Sequence, residues 1–297
     1  MELRCVAARS CPLLSILRRE LGMSSSLVGR LKYQHIFFVN GAPQFTNYRV
    51  SPGDEIRVPL GEPEPEYPAE PGELAVLFED ESLLALDKPA GLMMHPSSCR
   101  MTGTLANRVI AYYRATGQES AFHPVSRLDR DTFGVVLLAK NSHVHARCCA
   151  MLLAGGFRKT YRACVLGGPA DESGVIDLPI ARLPGRTIRR EVRADGQEAR
   201  TEYRVLARAD GLSLLALRPL TGRTHQLRVH CAAMGFPVLG DPQYGGPESV
   251  SRAAALGLTG QQLCAVSLAF SHPMTGAAME IRSKQAVFWP EAQDFSI

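Results

Sequence analysis

The 297-residue sequence predicts an α+β fold: a large mixed or antiparallel sheet with helices at its faces, preceded by a small α+β unit. Strand-like runs dominate after Leu74, and several alternate apolar with polar residues, as half-buried antiparallel strands do. Helical patches are few and short among them. A run of alternating Pro and Glu cuts the chain near residue 62, and such a run favours an extended, stiff spacer over helix or strand. These observations divide the chain into residues 1–61, a linker over 62–73, and a main domain over 74–297.

In the first unit, Leu13, Leu14, Leu17 and Leu21 recur at helical spacing and stop at Gly22, a natural C′ residue. Ser24 to Ser26 offer caps for a second helix carrying Leu27, Val28 and Leu31. Ile36 to Val39, the Asn40-Gly41 turn and Val50 to Val58 then read as a small sheet. In the main domain, strands are expected at Leu74–Phe78, Leu83–Leu86, Gly134–Ala139, Thr160–Val165, Thr201–Leu206 and Leu212–Arg218, with another from Leu263 to His272-Pro273. Helices are expected at Leu105–Ala115, His143–Leu153 and Thr224–Met234.

The hydrophobic content of 45% is that of a globular chain, and no apolar run approaches the roughly 18 residues of a membrane span. A net charge of +4 permits a polyanionic partner without demanding one. The eight cysteines, Cys5, Cys11, Cys99, Cys148, Cys149, Cys164, Cys231 and Cys264, follow no zinc spacing and fit reduced thiols. Arginines break up the first twenty residues, so no signal-peptide core forms. The expectation is a cytoplasmic protein.

Chemistry concentrates at Arg127-Leu128-Asp129-Arg130-Asp131-Thr132-Phe133-Gly134, which delivers a carboxylate between cations to the start of an apolar strand. Flanking cations favour the ionised form that a nucleophile or base requires. A turn salt bridge is the plainer reading of the same residues. Arg158-Lys159-Thr160-Tyr161-Arg162 opens a strand with cations around one tyrosine, suited to phosphate contact or simply to core filling. Gly222-Arg223-Thr224-His225-Gln226-Leu227-Arg228 enters a helix with Thr224 as the expected cap, and Arg223 and Arg228 make its N-terminus an anion site. Arg182, Arg186, Arg189, Arg190 and Arg193 are either a grip for a polyanion backbone or a solvated charged hairpin. Asp129-Arg130-Asp131-Thr132 also fits aspartate-nucleophile phosphohydrolases, but those carry the motif after their apolar strand, whereas here the strand follows it.

Asp87-Lys88-Pro89-Ala90-Gly91, Arg127-Leu128-Asp129, Lys159-Thr160-Tyr161, Gly222 to His230, Gly240-Asp241 with Tyr244-Gly245, and Phe270 with His272-Pro273 occur in an order that resembles the RluA/RluD-class pseudouridine synthases. The likeness runs from about Leu74 to the carboxyl end. Residues 10 to 60 resemble the S-four-like RNA-binding module, although a plain α+β oligomerisation module would look similar. The resemblance implies that Asp129 is the essential aspartate, that Tyr161 packs on the target uracil, and that Arg228 pairs with the aspartate. It further implies that Leu263 lines the base pocket and that Arg127, Lys159, Arg223 and His225 contact RNA. It implies an RNA partner, ribosomal RNA ahead of transfer RNA, and a monomer that uses no metal or cofactor. Ser126 stands where the family usually has His or Asn, and Phe133 replaces a usual Ser. A non-catalytic RNA-binding or ribosome-assembly protein on the same scaffold is the competing reading.

Overall fold

A computed structural model describes residues 1–61, 67–97, 100–185 and 188–290. Cys99, Arg186 and residues 62–66 of the expected linker lie outside them.

Residues 1–60 surround an apolar core of their own. Helix Leu13–Arg19 buries Leu13, Ile16 and Leu17, and helix Ser25–Leu31 buries Leu27, Val28 and Leu31. In each helix these positions are three and four apart, which places them on one face. The Ser24 hydroxyl accepts from Leu27 N–H at 3.1 Å and caps the second helix. Asn40 and Gly41 adopt φ of 49° and 81°, the pair of left-handed residues that a tight hairpin needs between Phe38–Val39 and Ala42–Pro43. One strand escaped the sequence pattern: Glu2–Val6 pairs with Glu55–Pro59 at the edge of this four-stranded sheet. Arg30 Nη2 then reaches Ser142 Oγ in the following domain at 2.7 Å.

The described part of the linker is not a free spacer. Asn107 Nδ2 donates to the Pro68 carbonyl at 2.8 Å, and Arg108 Nη1 donates to that of Glu73 at 3.1 Å. Backbone that makes no ladder of its own takes partners from the neighbouring helix Leu105–Ala115.

The main sheet has ten strands. Eight lie in the order Ser173–Asp177, Arg200–Ala209, Leu212–Pro219, Phe157–Leu166, Leu263–Ser271, Phe133–Ala139, Leu83–Lys88 and Val76–Glu79. Ala278–Arg282 and the short His123–Pro124 join at the sides. Phe133–Ala139 runs parallel to Leu263–Ser271, and the other pairings in this sheet are antiparallel. The expected mixed sheet is therefore present. Phe133–Ala139 is buried at all seven positions, as a central strand covered on both faces must be.

Gly134 is the second residue of that parallel contact, opposite Ala265. Its φ is 106°, and a Cβ there would lie 2.3 Å from the Ala265 carbonyl oxygen. Only glycine allows the two backbones to meet so closely beneath the Asp129 loop.

Strands Ser173–Asp177 and Ala278–Arg282 were not anticipated, and two helices differ from expectation. Helix Gln226–Ala233 starts after His225, so Thr224 is exposed and is not its cap. The Gln226 side chain instead accepts from Arg223 N–H at 3.0 Å and so ties down the turn that Thr224 was expected to close. Helix Gly246–Ala255 was not anticipated, although Pro247 in its first turn is a start signal.

Candidate active site

Asp129 is held from below by its neighbours in sequence. Leu128 is buried in an apolar cluster with Leu92, Met94 and Ala265, which anchors the loop beside the sheet. Lys88 is fully buried, and its ammonium donates to the carbonyls of Pro89, Leu92 and Arg130 at 2.9, 2.8 and 2.8 Å. An ammonium has three protons, and here each has an acceptor. Burial pushes the Lys88 pKa down to about 8, against the opposing pull of Asp131 and Asp129. The preceding residue, Asp87, accepts from Ser283 Oγ, Lys284 N and Gln285 Nε2 at 2.7, 2.8 and 2.6 Å. One dipeptide at a strand end thus fixes both the Asp129 loop and the C-terminal segment. The signal for it in the sequence is a charged pair closing an apolar strand.

The cation that meets Asp129 comes from a distance of 99 residues. Arg228 Nη1 donates to Asp129 Oδ2 at 3.0 Å. The rest of the guanidinium is already committed: Nε and Nη2 grip Asp241 at 2.6 and 2.8 Å, and Nη2 also reaches Gln243 Oε1 at 3.0 Å. Its plane lies over the Tyr244 ring, 4.9 Å from the centroid. Burial disfavours the Arg228 charge, but Asp241 and then Asp129 outweigh it and hold the pKa above the ordinary arginine value. Asp241 is fully buried, whereas the Asp129 side chain keeps 28% of its surface exposed. The buried carboxylate aims the arginine, and the arginine holds one oxygen of the partly exposed one, Asp129 Oδ2.

His225 stands on the other side. Its backbone is left-handed, φ 58°, at a cost on the order of 1–3 kcal/mol for a non-glycine residue. The turn places Nε2 3.8 Å from Asp129 Oδ1 and Nδ1 2.7 Å from the Tyr244 hydroxyl. Burial lowers the His225 pKa. Asp129 opposes that, Arg228 and Arg190 add to it, and Asp241 opposes it. Tyr244 is reached in turn by the arginine-rich hairpin of Ile180–Arg182 and Arg190–Val192. Arg190 N–H donates to the Tyr244 hydroxyl at 2.9 Å, and Arg189 Nη2 to the Gln243 carbonyl at 2.6 Å. Arg193 is turned to Asp195 and Glu191.

Tyr161 shares a cross-strand row with this loop. Gly134 and Tyr161 both pair with Ala265, so two strand spacings, about 9–10 Å, separate them. Burial, then Asp129 and Cys264, push its phenol well above the ordinary tyrosine range. Leu263 is buried in an apolar cluster with Leu227 and Ala163, against which Tyr161 packs. Lys159, also on this strand, has its pKa lowered by burial and forms no ion pair among the described residues.

The remaining predicted residues lie apart from the carboxylate. Arg130 pairs with Asp131 at 2.9 Å, so the arginine next in sequence to Asp129 is engaged elsewhere. Arg127 is exposed on the His95 side, where its charge, after burial, lowers the His95 pKa. Arg223 Nε donates to the Glu198 carbonyl at 2.9 Å. Ser126 Oγ accepts from Leu137 N–H at 3.3 Å, and Phe133 packs inward against Leu214, Cys264 and Val287. Sequence reasoning missed Gln243 and the roles of Lys88 and Tyr244.

Comparison with known proteins identifies the class. The family model for RNA pseudouridylate synthase matches residues 82–233. An uncharacterized RNA pseudouridine synthase, YlyB of Bacillus subtilis, is 36% identical over 82% of this chain and 80% of its own length. The ribosomal large subunit pseudouridine synthase D of Nitrosomonas europaea is 37% identical over 80% of this chain and 70% of its own. A solved structure of human RNA pseudouridylate synthase domain containing 1 superposes with a TM-score of 0.60 at 25% identity, covering 73% of this chain and 86% of that one. The chain belongs to the RNA pseudouridylate synthase family and is an RNA pseudouridine synthase of the class that includes synthase D. Among the described residues no helix is long and apolar enough to cross a membrane.

Proposed function

We propose that this enzyme isomerises specific uridines in structured RNA, large-subunit ribosomal RNA ahead of transfer RNA, with Asp129 as the reacting group. The observation that carries the reading is the Arg228 bridge: one guanidinium clamped by buried Asp241 and donating to partly exposed Asp129 at 3.0 Å. Such an arrangement fixes the orientation of the carboxylate and leaves Oδ1 without a hydrogen bond to Arg228.

Isomerisation breaks N1–C1′ and forms C5–C1′; the C5 hydrogen leaves as a proton and N1 gains one, so no redox partner is required. Asp129 serves either as nucleophile at C1′ or as base on the ribose in an elimination to a glycal, and both routes use the same carboxylate. A stacked uridine hides these atoms, so the base is first extruded, at a cost of a few kcal/mol. Tyr161 receives it by stacking, over Leu263. Residues 1–61 act as an S-four-like RNA-binding module, and Arg127, Lys159 and Arg223 contact the RNA backbone around the site. The enzyme works as a cytoplasmic monomer. The name of the Nitrosomonas relative supports the ribosomal target.

Asp129→Asn is expected to reduce pseudouridine formation at least about 1,000-fold, equivalent to about 4 kcal/mol, while RNA affinity persists. Pseudouridine mapping on total RNA from a strain lacking the protein measures the first, and filter binding the second. Near-normal turnover by this variant would remove Asp129 from the chemistry.

A further inference from the structure

The contact between His225 and Tyr244 says more about the site than its distance alone. The Tyr244 oxygen already accepts Arg190 N–H at 2.9 Å, so its own proton is free to go to a second partner. His225 Nδ1 lies 2.7 Å away. A hydroxyl donating to Nδ1 leaves that nitrogen without a proton and places the imidazole N–H on Nε2. Nε2 is the atom that faces Asp129 Oδ1 at 3.8 Å.

We propose that His225 serves the reaction as a neutral imidazole protonated on Nε2, with Tyr244 as the positioning residue that sets this tautomer. The proposal rests on Asp129 being the reacting group. Each alternative state of the ring works against the carboxylate. A bare Nε2 lone pair would repel Oδ1, and an imidazolium would neutralise it and weaken it as nucleophile or base. A neutral N–H attracts Oδ1 and leaves its charge nearly intact. The charged and titratable groups facing the ring are Asp129, Arg228, Arg190, Asp241 and Tyr244. Burial and the two arginines favour the neutral form, in the same direction as the Tyr244 hydrogen bond. Because the N–H that orients Tyr244 belongs to the hairpin strand Arg190–Val192, hairpin position and histidine tautomer are linked.

The test is a long-range ¹H–¹⁵N correlation spectrum of the full-length protein labelled at histidine, with the His225 signals assigned by their loss in His225→Gln. Wild type at pH 7.5 is expected to show the Nε2–H tautomer, and Tyr244→Phe a shift toward Nδ1–H. Single-turnover pseudouridine formation on total RNA from a strain lacking the protein is expected to fall about tenfold in Tyr244→Phe. Losing the hydroxyl removes support for the neutral ring, so the acid limb of the rate profile moves to higher pH by about half to one unit. A wild-type ring that is Nδ1–H or doubly protonated at pH 7.5 overturns the proposal, even if the variant fails to fold. So does a Tyr244→Phe protein whose tautomer changes without a change in rate, or whose tautomer does not change. If wild type forms no pseudouridine, the assignment of function fails instead, and the tautomer result is still readable.

Discussion

The two halves of the molecule are built on opposite terms. Among the described residues before Ser82, no polar or charged side chain is buried, and residues 1–60 close on an apolar core with their polar groups at caps and turns. After Ser82 the interior holds Asp87, Lys88, His230, Arg228 and Asp241. Burying an ion is costly unless every remaining proton and lone pair is matched. The second region matches them: Lys88 with three carbonyls, Arg228 with two carboxylates and an amide. The first region buries only apolar side chains among its described residues. The second buries charge to hold one carboxylate at a defined place, with Lys88 and the Arg228–Asp241 pair both fixed beside the Asp129 loop.

Arg228→Met is the sharpest way to break this contrast. It leaves the buried Asp241 carboxylate without its cation, held only by the backbone N–H groups of Gln243 and Tyr244, which is expected to cost about 3–5 kcal/mol of stability. It also removes the bond to Asp129, so activity per folded molecule should collapse; urea unfolding and single-turnover assays measure the two effects. Leu17→Ala, in the fully buried face of the first helix, should destabilise by about 2–5 kcal/mol and leave the single-turnover rate of the folded fraction unchanged. A slower chemical step in that variant would mean that the apolar half also shapes the site. Lys88→Met is the smallest of the three. It leaves three carbonyls without their donor and should cost about 1–3 kcal/mol. Its rate should nevertheless fall, because the Arg130 carbonyl next to Asp129 is released. A variant that loses stability but keeps its full rate would reduce Lys88 to scaffolding.

Much of the fold was legible because its signals are local. Helix Leu105–Ala115 has the predicted bounds, the Asn40-Gly41 turn takes the geometry its residues favour, and Ser24 caps the helix that follows it. Strand Glu2–Val6 was hidden because its partner, Glu55–Pro59, is distant in sequence and its own alternation is short. Thr224 had the chemistry of a cap, but the chain needs a left-handed turn at His225, and Gln226 supplies the hydrogen bond instead. At the site, Asp129, Tyr161 and Arg228 stood out by residue type and motif. The arginines beside Asp129 in sequence were misleading, because Arg130 turns to Asp131 and Arg127 turns outward.

What the sequence determined by itself was the set of parts: the strands and caps, the apolar faces, and a carboxylate at the mouth of a central strand. Periodicity and turn chemistry act over a few residues and can be read there. That Asp241 clamps the guanidinium which the family resemblance alone had paired with the carboxylate, and that Tyr244 and a hairpin strand stand behind His225, depended on faces brought together across the sheet. Ion pairs and hydrogen bonds act over a few ångströms of space regardless of separation along the chain, so only the tertiary structure could decide them.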